Sequence, residues 1–122
     1  MDERPPVWIG HAVLSVSDLE RSADFWREIG SREVERNADV AILELRGGTH
    51  VILVPGATAG EADDELPFDL MVDDLEATHE HWRARGLNPT PIEEGRTHSA
   101  FSVRDPDGHL VKVNSSHVIG PV

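Results

Sequence analysis

One 15-residue stretch decides the fold, because it occurs twice. The first copy reads Val16-Ser-Asp-Leu-Glu-Arg-Ser-Ala-Asp-Phe-Trp-Arg-Glu-Ile-Gly30, and the second reads Val72-Asp-Asp-Leu-Glu-Ala-Thr-His-Glu-His-Trp-Arg-Ala-Arg-Gly86. Aligned without a gap, the copies are identical at seven of 15 positions and lie 56 residues apart. Such a repeat indicates that the chain is built from two copies of one supersecondary unit.

Each copy predicts a helix with both ends marked. The first residues have the spacing of a capping box, in which two side chains satisfy free backbone donors of the first turn: Ser17 with Glu20, and Asp73 with Glu76. Gly30 and Gly86 stand where a helix commonly ends on a left-handed residue. Trp26 and Trp82 fall on the apolar faces of the two helices, which predicts that each packs its helix onto a sheet.

Strand patterns surround both helices. They cover residues 8–16, 32–36, 40–46 and 49–55 in the first half, and 68–72, 88–92, 98–104 and 109–115 in the second. Gly47-Gly48 and Asp105-Pro106-Asp107-Gly108 have the composition of tight turns between the last two strands of each half. The sequence therefore predicts an α+β fold of two tandem βαβββ modules.

Length and composition suit one compact domain. The chain has 122 residues, of which 39% are hydrophobic and 28% charged, and this balance can support a folded core. We expect a single domain over residues 7–117, with module one at 7–56 and module two at 66–117. Residues 57–65 are small, polar and acidic, so they are predicted to form a linker.

Several functional classes are disfavoured by charge and residue content. Eleven basic residues against 23 acidic ones leave a net charge of −12, which argues against nucleic acid and anionic membranes as partners. The sequence contains no cysteine, so disulfides, zinc–thiolate sites and a thiol nucleophile are excluded. No secretory signal or apolar membrane span is visible, and a cytoplasmic protein is expected.

The doubled βαβββ pattern resembles the vicinal oxygen chelate superfamily, which includes glyoxalase I, bleomycin-binding proteins and extradiol dioxygenases. The features shared with the superfamily are His11 in the first strand, Val-x-Asp-Leu-Glu at the start of each helix, and Asp-Pro-Asp-Gly before the last strand. The resemblance implies curved mixed sheets around a cleft, with the helices outside. It does not fix a function, because this fold hosts many chemistries.

Metal-dependent members of this superfamily place one ligand on each of four strands. Carried onto this chain, the resemblance puts those positions at His11, Ile52, Pro67 and Lys112. Isoleucine and proline side chains have no donor atoms, and a protonated lysine repels a cation. The standard divalent-metal site is therefore expected to be absent, and the cofactor prediction is none.

A shifted metal site is the alternative. Strand alternation places His50 on the same face as Ile52, and Asp69 on the same face as Pro67. If a metal is present, His11, His50 and Asp69 would form a two-histidine, one-carboxylate set that suits a divalent ion. The simpler interpretation is that His50 lies at the mouth of the cleft and that Asp69 pairs with Lys112.

Lys112 is the only lysine of the chain, and three roles are open to it. It can pair with Asp69, it can hold an anionic group of a ligand, or it can act as a neutral amine that forms a Schiff base with a carbonyl. Trp8, Phe68 and Phe101 are further candidates for contact with a ligand, although a place in the core is preferred for each.

The favoured function is a metal-independent small-molecule binding protein whose ligand is contacted by His11, His50, Ile52, Asp69 and Lys112. The alternative is a lyase, isomerase or dioxygenase with a divalent metal ion on the shifted set; an interaction module without a ligand is a third class. A homodimer is expected from the resemblance and because two-fold pairing is the commonest oligomeric state.

Overall fold

A computed structural model describes residues 3–56 and 65–122. The described residues up to Gly56, with Gly120–Val122, belong to one compact unit, and those from Glu65 to Ile119 belong to a second. The first unit contains β1 (His11–Val16), α1 (Leu19–Glu28), β2 (Arg32–Arg36), β3 (Ala41–Glu44) and β4 (His50–Pro55). The second contains β5 (Leu70–Val72), α2 (Leu75–Ala84), β6 (Glu93–Glu94), β7 (Ser99–Arg104) and β8 (Leu110–Ser115).

Both units have the same sheet topology. The first sheet has the strand order β1-β4-β3-β2 and the second the order β5-β8-β7-β6. In each, the strand before the helix pairs in parallel with the last strand of the unit, and the remaining pairs are antiparallel. The predicted α+β fold of two βαβββ modules is confirmed.

The two helices occupy equivalent positions in the repeat, since their bounds differ by the same 56 residues. Their N-caps differ from the sequence prediction by one position. Asp18 and Asp74 are the capping residues, and their side chains accept hydrogen bonds from the backbone N–H groups of Arg21 and Ala77. A carboxylate at this position satisfies a free donor and lies favourably near the positive end of the helix. Gly30 and Gly86 have positive φ angles of 120° and 83°, as predicted.

Each helix covers one face of its own sheet. In the first unit, buried Leu14, Val16, Ala41, Leu43, Val51 and Leu53 alternate with more exposed neighbours along their strands. In the second, the corresponding buried residues are Phe101, Val103, Val111 and Val113. Because strand side chains alternate between faces, the other residues of these strands lie on the face without a helix, which we call the helix-free face.

Three predictions about local structure need correction. The strand expected at 88–92 is displaced to Glu93–Glu94, because Asn88 is left-handed (φ 54°) and Pro89 and Pro91 offer no N–H to the ladder. The first strand begins at His11 instead of residue 8. Trp8 is 70% exposed, so it is not a core residue, whereas Phe101 is 2% exposed and is one.

The last hairpin turn is built around a buried carboxylate. The Gly108 N–H donates to the Asp105 carbonyl at 2.9 Å, which closes the predicted turn. The Asp105 side chain accepts from the N–H groups of Asp107 and His109, at 3.0 and 2.8 Å. Burial raises the pKa of Asp105 above its usual value, and these hydrogen bonds act in the opposite direction.

The expected linker, 57–65, lies outside the described residues except for Glu65, which bridges to Leu110 of β8. The module boundaries therefore remain predictions. Within residues 3–56 and 65–122, no helix combines the length and the apolar character that crossing a membrane requires.

Candidate functional site

A polar row crosses all four strands of the first sheet on its helix-free face. The register places Arg32 beside Glu44, Glu44 beside His50, and His50 beside His11. Arg32 donates to one carboxylate oxygen of Glu44, and Nε2 of His50 lies 3.0 Å from the other. The rings of His50 and His11 meet edge to face with their centroids 5.8 Å apart. The row therefore ends in two imidazoles on neighbouring parallel strands.

Glu44 determines which ring nitrogen of His50 carries the hydrogen. The hydrogen bond from Arg32, and then the positive charge of Arg32, lower the pKa of Glu44, while partial desolvation acts against them. An ionised carboxylate can only accept hydrogen bonds, so Nε2 of His50 carries the proton that Glu44 accepts. In neutral His50, the lone pair then resides on Nδ1.

An apolar row lies next to the polar one. Ile52 in β4 is flanked in register by Val13 of β1 and Ile42 of β3. Val13 is 61% exposed, and Ile42 and Ile52 are partly exposed. At the position where the superfamily resemblance requires a metal ligand, the first sheet thus offers three aliphatic side chains and no donor atom.

Lys112 occupies the helix-free face of the second sheet. It lies in β8 between buried Val111 and Val113, and its register partner in β7 is Ser102. Asp69 immediately precedes β5 and is exposed. Over residues 3–56 and 65–122, no ion pair joins Lys112 to Asp69 or to another carboxylate. The proposed pairing of Asp69 with Lys112 is therefore not formed there.

The donor set does not fit the metal that the resemblance implies. Of the four ligand positions, only His11 carries a metal-binding side chain; Ile52 and Pro67 have no donor, and Lys112 carries a positive charge. The described part of the chain also contains no group of three or more His, Asp or Glu residues that could hold a metal ion. The pair His11 and His50 supplies two nitrogen donors within one unit.

Only some of the predicted site residues lie on the same sheet. The structure brings His11, His50 and Ile52 together on one sheet, whereas Asp69 and Lys112 belong to the other unit. The set of His11, His50 and Asp69 therefore remains a prediction.

The sequence did not predict two contacts beside this group, that of Glu44 with His50 and that of Arg32 with Glu44. Glu44 was missed because the predicted two-residue turn Gly47-Gly48 pairs Leu45 with His50, whereas the observed turn spans Arg46–Gly48 and pairs Glu44 with His50. Arg32 was missed because an irregularity between Glu33 and Glu35 shifts the register of β2.

The family model of the glyoxalase/bleomycin resistance protein/dioxygenase superfamily matches residues 8–113. The chain belongs to this superfamily.

Among curated relatives, it is similar to a probable lactoylglutathione lyase of Vibrio parahaemolyticus, with 30% identity covering 84% of this chain and 86% of the relative. A protein of the same description from Vibrio cholerae is 28% identical with the same coverage.

Solved structures share the fold. The lactoylglutathione lyase of Agrobacterium tumefaciens superposes with a TM-score of 0.73 at 18% identity, covering 92% of this chain and 96% of the other. A bleomycin resistance determinant encoded on the transposon Tn5 has a TM-score of 0.73 at 20% identity, covering 92% of this chain and the whole of the other.

Proposed function

We propose that this protein binds a small anionic molecule without the divalent metal site that is usual in metal-dependent members of its superfamily. The observation that carries the proposal is Lys112, a partly buried cation in β8 without an ion-pair partner among the described residues. In a chain of net charge −12, one unpaired lysine on a sheet face provides a local site for a negative group.

The residues of the first unit support the same function. His11 and His50 offer polar contacts at one end of β1 and β4, and Ile52, Val13 and Ile42 offer apolar contact one step further along the strands. A few placed polar groups beside an apolar surface are typical of small-molecule sites. The negative net charge supports a protein without a nucleic-acid or anionic-membrane partner, and we propose a cytoplasmic location.

Elemental analysis of untagged protein tests the metal-free part of the proposal. Because three of the four ligand positions lack a usable donor, we expect far less than one transition-metal ion per chain. Added chelator should leave the binding of an anion such as benzoate unchanged. About one ion per chain, removed by chelator together with ligand binding, would contradict the proposal.

The second candidate is a metal-dependent lyase, isomerase or dioxygenase, and the observation that favours it is the His11–His50 pair. The curated relatives are described as probable lactoylglutathione lyases, so lactoylglutathione is the substrate to try with zinc, nickel or iron(II). Turnover that His11→Ala and His50→Ala abolish, and that Lys112→Met leaves unchanged, would support this enzyme and place the ion on the shifted ligand set.

We also propose that the protein is a homodimer. Superfamily membership supports this, as does the exposed apolar run of Val7, Trp8 and Ile9 before the edge strand β1, at 78%, 70% and 68% exposure. In sedimentation experiments at micromolar concentration, we expect about twice the 13.4 kDa chain mass. Trp8→Asp should shift the protein toward monomer, whereas Val118→Asp, at an exposed position of the other unit, should not. A monomeric wild type would refute the proposal.

A further inference from the structure

Asn114 carries a buried hydrogen-bond acceptor that nothing in the described part of the chain satisfies. Its residue is 4% exposed. The side-chain nitrogen Nδ2 donates to the Leu70 carbonyl at 3.2 Å. Because a carbonyl oxygen can only accept, the side-chain atom that faces Leu70 is the nitrogen and the other atom is Oδ1. Oδ1 has no hydrogen-bond partner among residues 3–56 and 65–122.

Such an atom calls for an explanation. A buried carbonyl oxygen loses its hydration on folding and normally recovers a hydrogen bond from the protein or from bound water. Turning the amide over would place its NH₂ group against the same unsatisfied environment and break the bond to Leu70. A donor that the described residues do not include, such as a bound water or a group of a ligand, is therefore needed to satisfy Oδ1.

Asn114 lies on the same face of β8 as Lys112. The two residues are two positions apart in a strand whose side chains alternate between faces. Their Cα atoms are separated by about 6.8 Å, twice the rise per residue of a strand. The register places Ala100 and Met71 beside Asn114 on this face, and Ser102 beside Lys112.

We propose that Lys112 and Asn114 form a two-point site for an anion that also carries an O–H or N–H donor. The ammonium group of Lys112 binds the negative group, and Oδ1 of Asn114 accepts from the donor. The inference rests on the proposed function, because Lys112 is the anion partner in both. It adds a ligand class, namely acids that carry a hydroxyl or amide N–H at about 6.8 Å from the charged group, which is the separation of the Lys112 and Asn114 Cα atoms.

In the proposed site, Met71 is the side chain that would move to admit a ligand. Its side chain, 45% exposed, lies opposite Asn114 in the register of β5 and β8. A thioether chain has three flexible torsions and no strong hydrogen bond to lose. In the proposal, a change of the Met71 rotamer gives the ligand access to Oδ1 while the bond from Nδ2 to Leu70 stays in place.

The experiment compares two ligands that differ only in the donor. Benzoate and 4-hydroxybenzoate carry the same carboxylate, and the para hydroxyl lies across the ring from it. Binding to the whole protein is followed by ¹⁵N–¹H NMR titration. We expect wild type to bind 4-hydroxybenzoate about fivefold more tightly than benzoate, which corresponds to one ordinary hydrogen bond.

Variants separate the two contacts. Asn114→Leu removes the acceptor at similar volume, so the preference for 4-hydroxybenzoate should fall to about one, with benzoate affinity unchanged. Lys112→Met should weaken both ligands by the same factor and keep the preference. Arg83→Gln, which removes one positive charge from exposed α2, should change neither. Each variant's NMR spectrum reports whether it is folded, and the ligand pair tests the inference in wild type if Asn114→Leu is not.

The outcomes distinguish this inference from the proposed function. Equal binding of the two ligands to wild type, or a preference that survives Asn114→Leu, would overturn the role of Asn114 while leaving Lys112 as an anion site. If neither ligand binds wild type at millimolar concentration, both are overturned.

Discussion

Replacement of Trp26 by alanine is expected to lower the free energy of unfolding by about 3–5 kcal/mol, and Trp82→Ala should do the same. The two indoles lie at equivalent positions of the repeat and are 1% and 3% exposed. Trp82 contacts Phe101 of β7 with ring centroids 5.6 Å apart, and Trp26 contacts Phe25 at 5.9 Å. Alanine removes most of each side chain and leaves a cavity that the sheet beneath cannot close.

Urea unfolding followed by circular dichroism measures both losses. Trp26→Phe and Trp82→Phe are matched controls, because they keep an aromatic ring in place and should lose less than the alanine variants. Val34→Ala removes apolar atoms from a side chain that is 55% exposed, so its effect should stay within about 0.5 kcal/mol. Losses below about 1 kcal/mol at both tryptophans would mean that the two indoles do not hold the helices onto their sheets.

The repeat made the fold predictable for a local reason. Helix position depends on contacts within a few residues: a capping carboxylate, an apolar stripe and a terminal glycine. These signals occur in both copies, so helix bounds and strand order could be inferred from one chain. The capping residue was placed one position early because Ser17 and Asp73 are as suitable chemically as Asp18 and Asp74.

Parts of the site depend on longer-range geometry, and sequence reasoning found them less well. The contact of His50 with Glu44 depends on a turn one residue longer than the predicted Gly47-Gly48, and that of Glu44 with Arg32 depends on an irregular β2. The pairing of Asp69 with Lys112 was plausible because their strands are parallel neighbours, yet β5 begins only at Leu70 and no ion pair forms between them. Asn114 left no signal in the sequence, since an unsatisfied acceptor is visible only once its surroundings are placed.

The two sheets of the repeat have diverged in what they present. At equivalent places near the end of each unit, β4 carries Ile52 between two aliphatic residues, and β8 carries Lys112 beside the hydroxyl of Ser102. An aliphatic and a cationic side chain at these two positions support the proposed binding function, because neither is a usual ligand of a cation. Lys112 is consequently the residue at which the binding and metal hypotheses differ most.

Lys112→Glu is expected to weaken benzoate binding by at least a hundredfold, and Lys112→Met by about tenfold. A hydrogen bond to a charged group contributes about 1.5–3 kcal/mol, and tenfold in affinity corresponds to about 1.4 kcal/mol. Methionine removes the charge but keeps an apolar stem in the same place. Glutamate adds repulsion of the carboxylate, so its effect must be the larger of the two.

Benzamide, the neutral analogue of benzoate, is the control ligand, and calorimetric titration is the measurement. Both variants should change benzamide affinity less than twofold, because it has no charge for residue 112 to attract or repel. Neither should gain tight binding of zinc, nickel or iron(II), since Pro67, the other ligand position of the second unit, has no donor atom. Equal losses for benzoate and benzamide would show that Lys112 supports the fold of β8 instead of binding the anion, and the proposed function would then lose the observation that carries it.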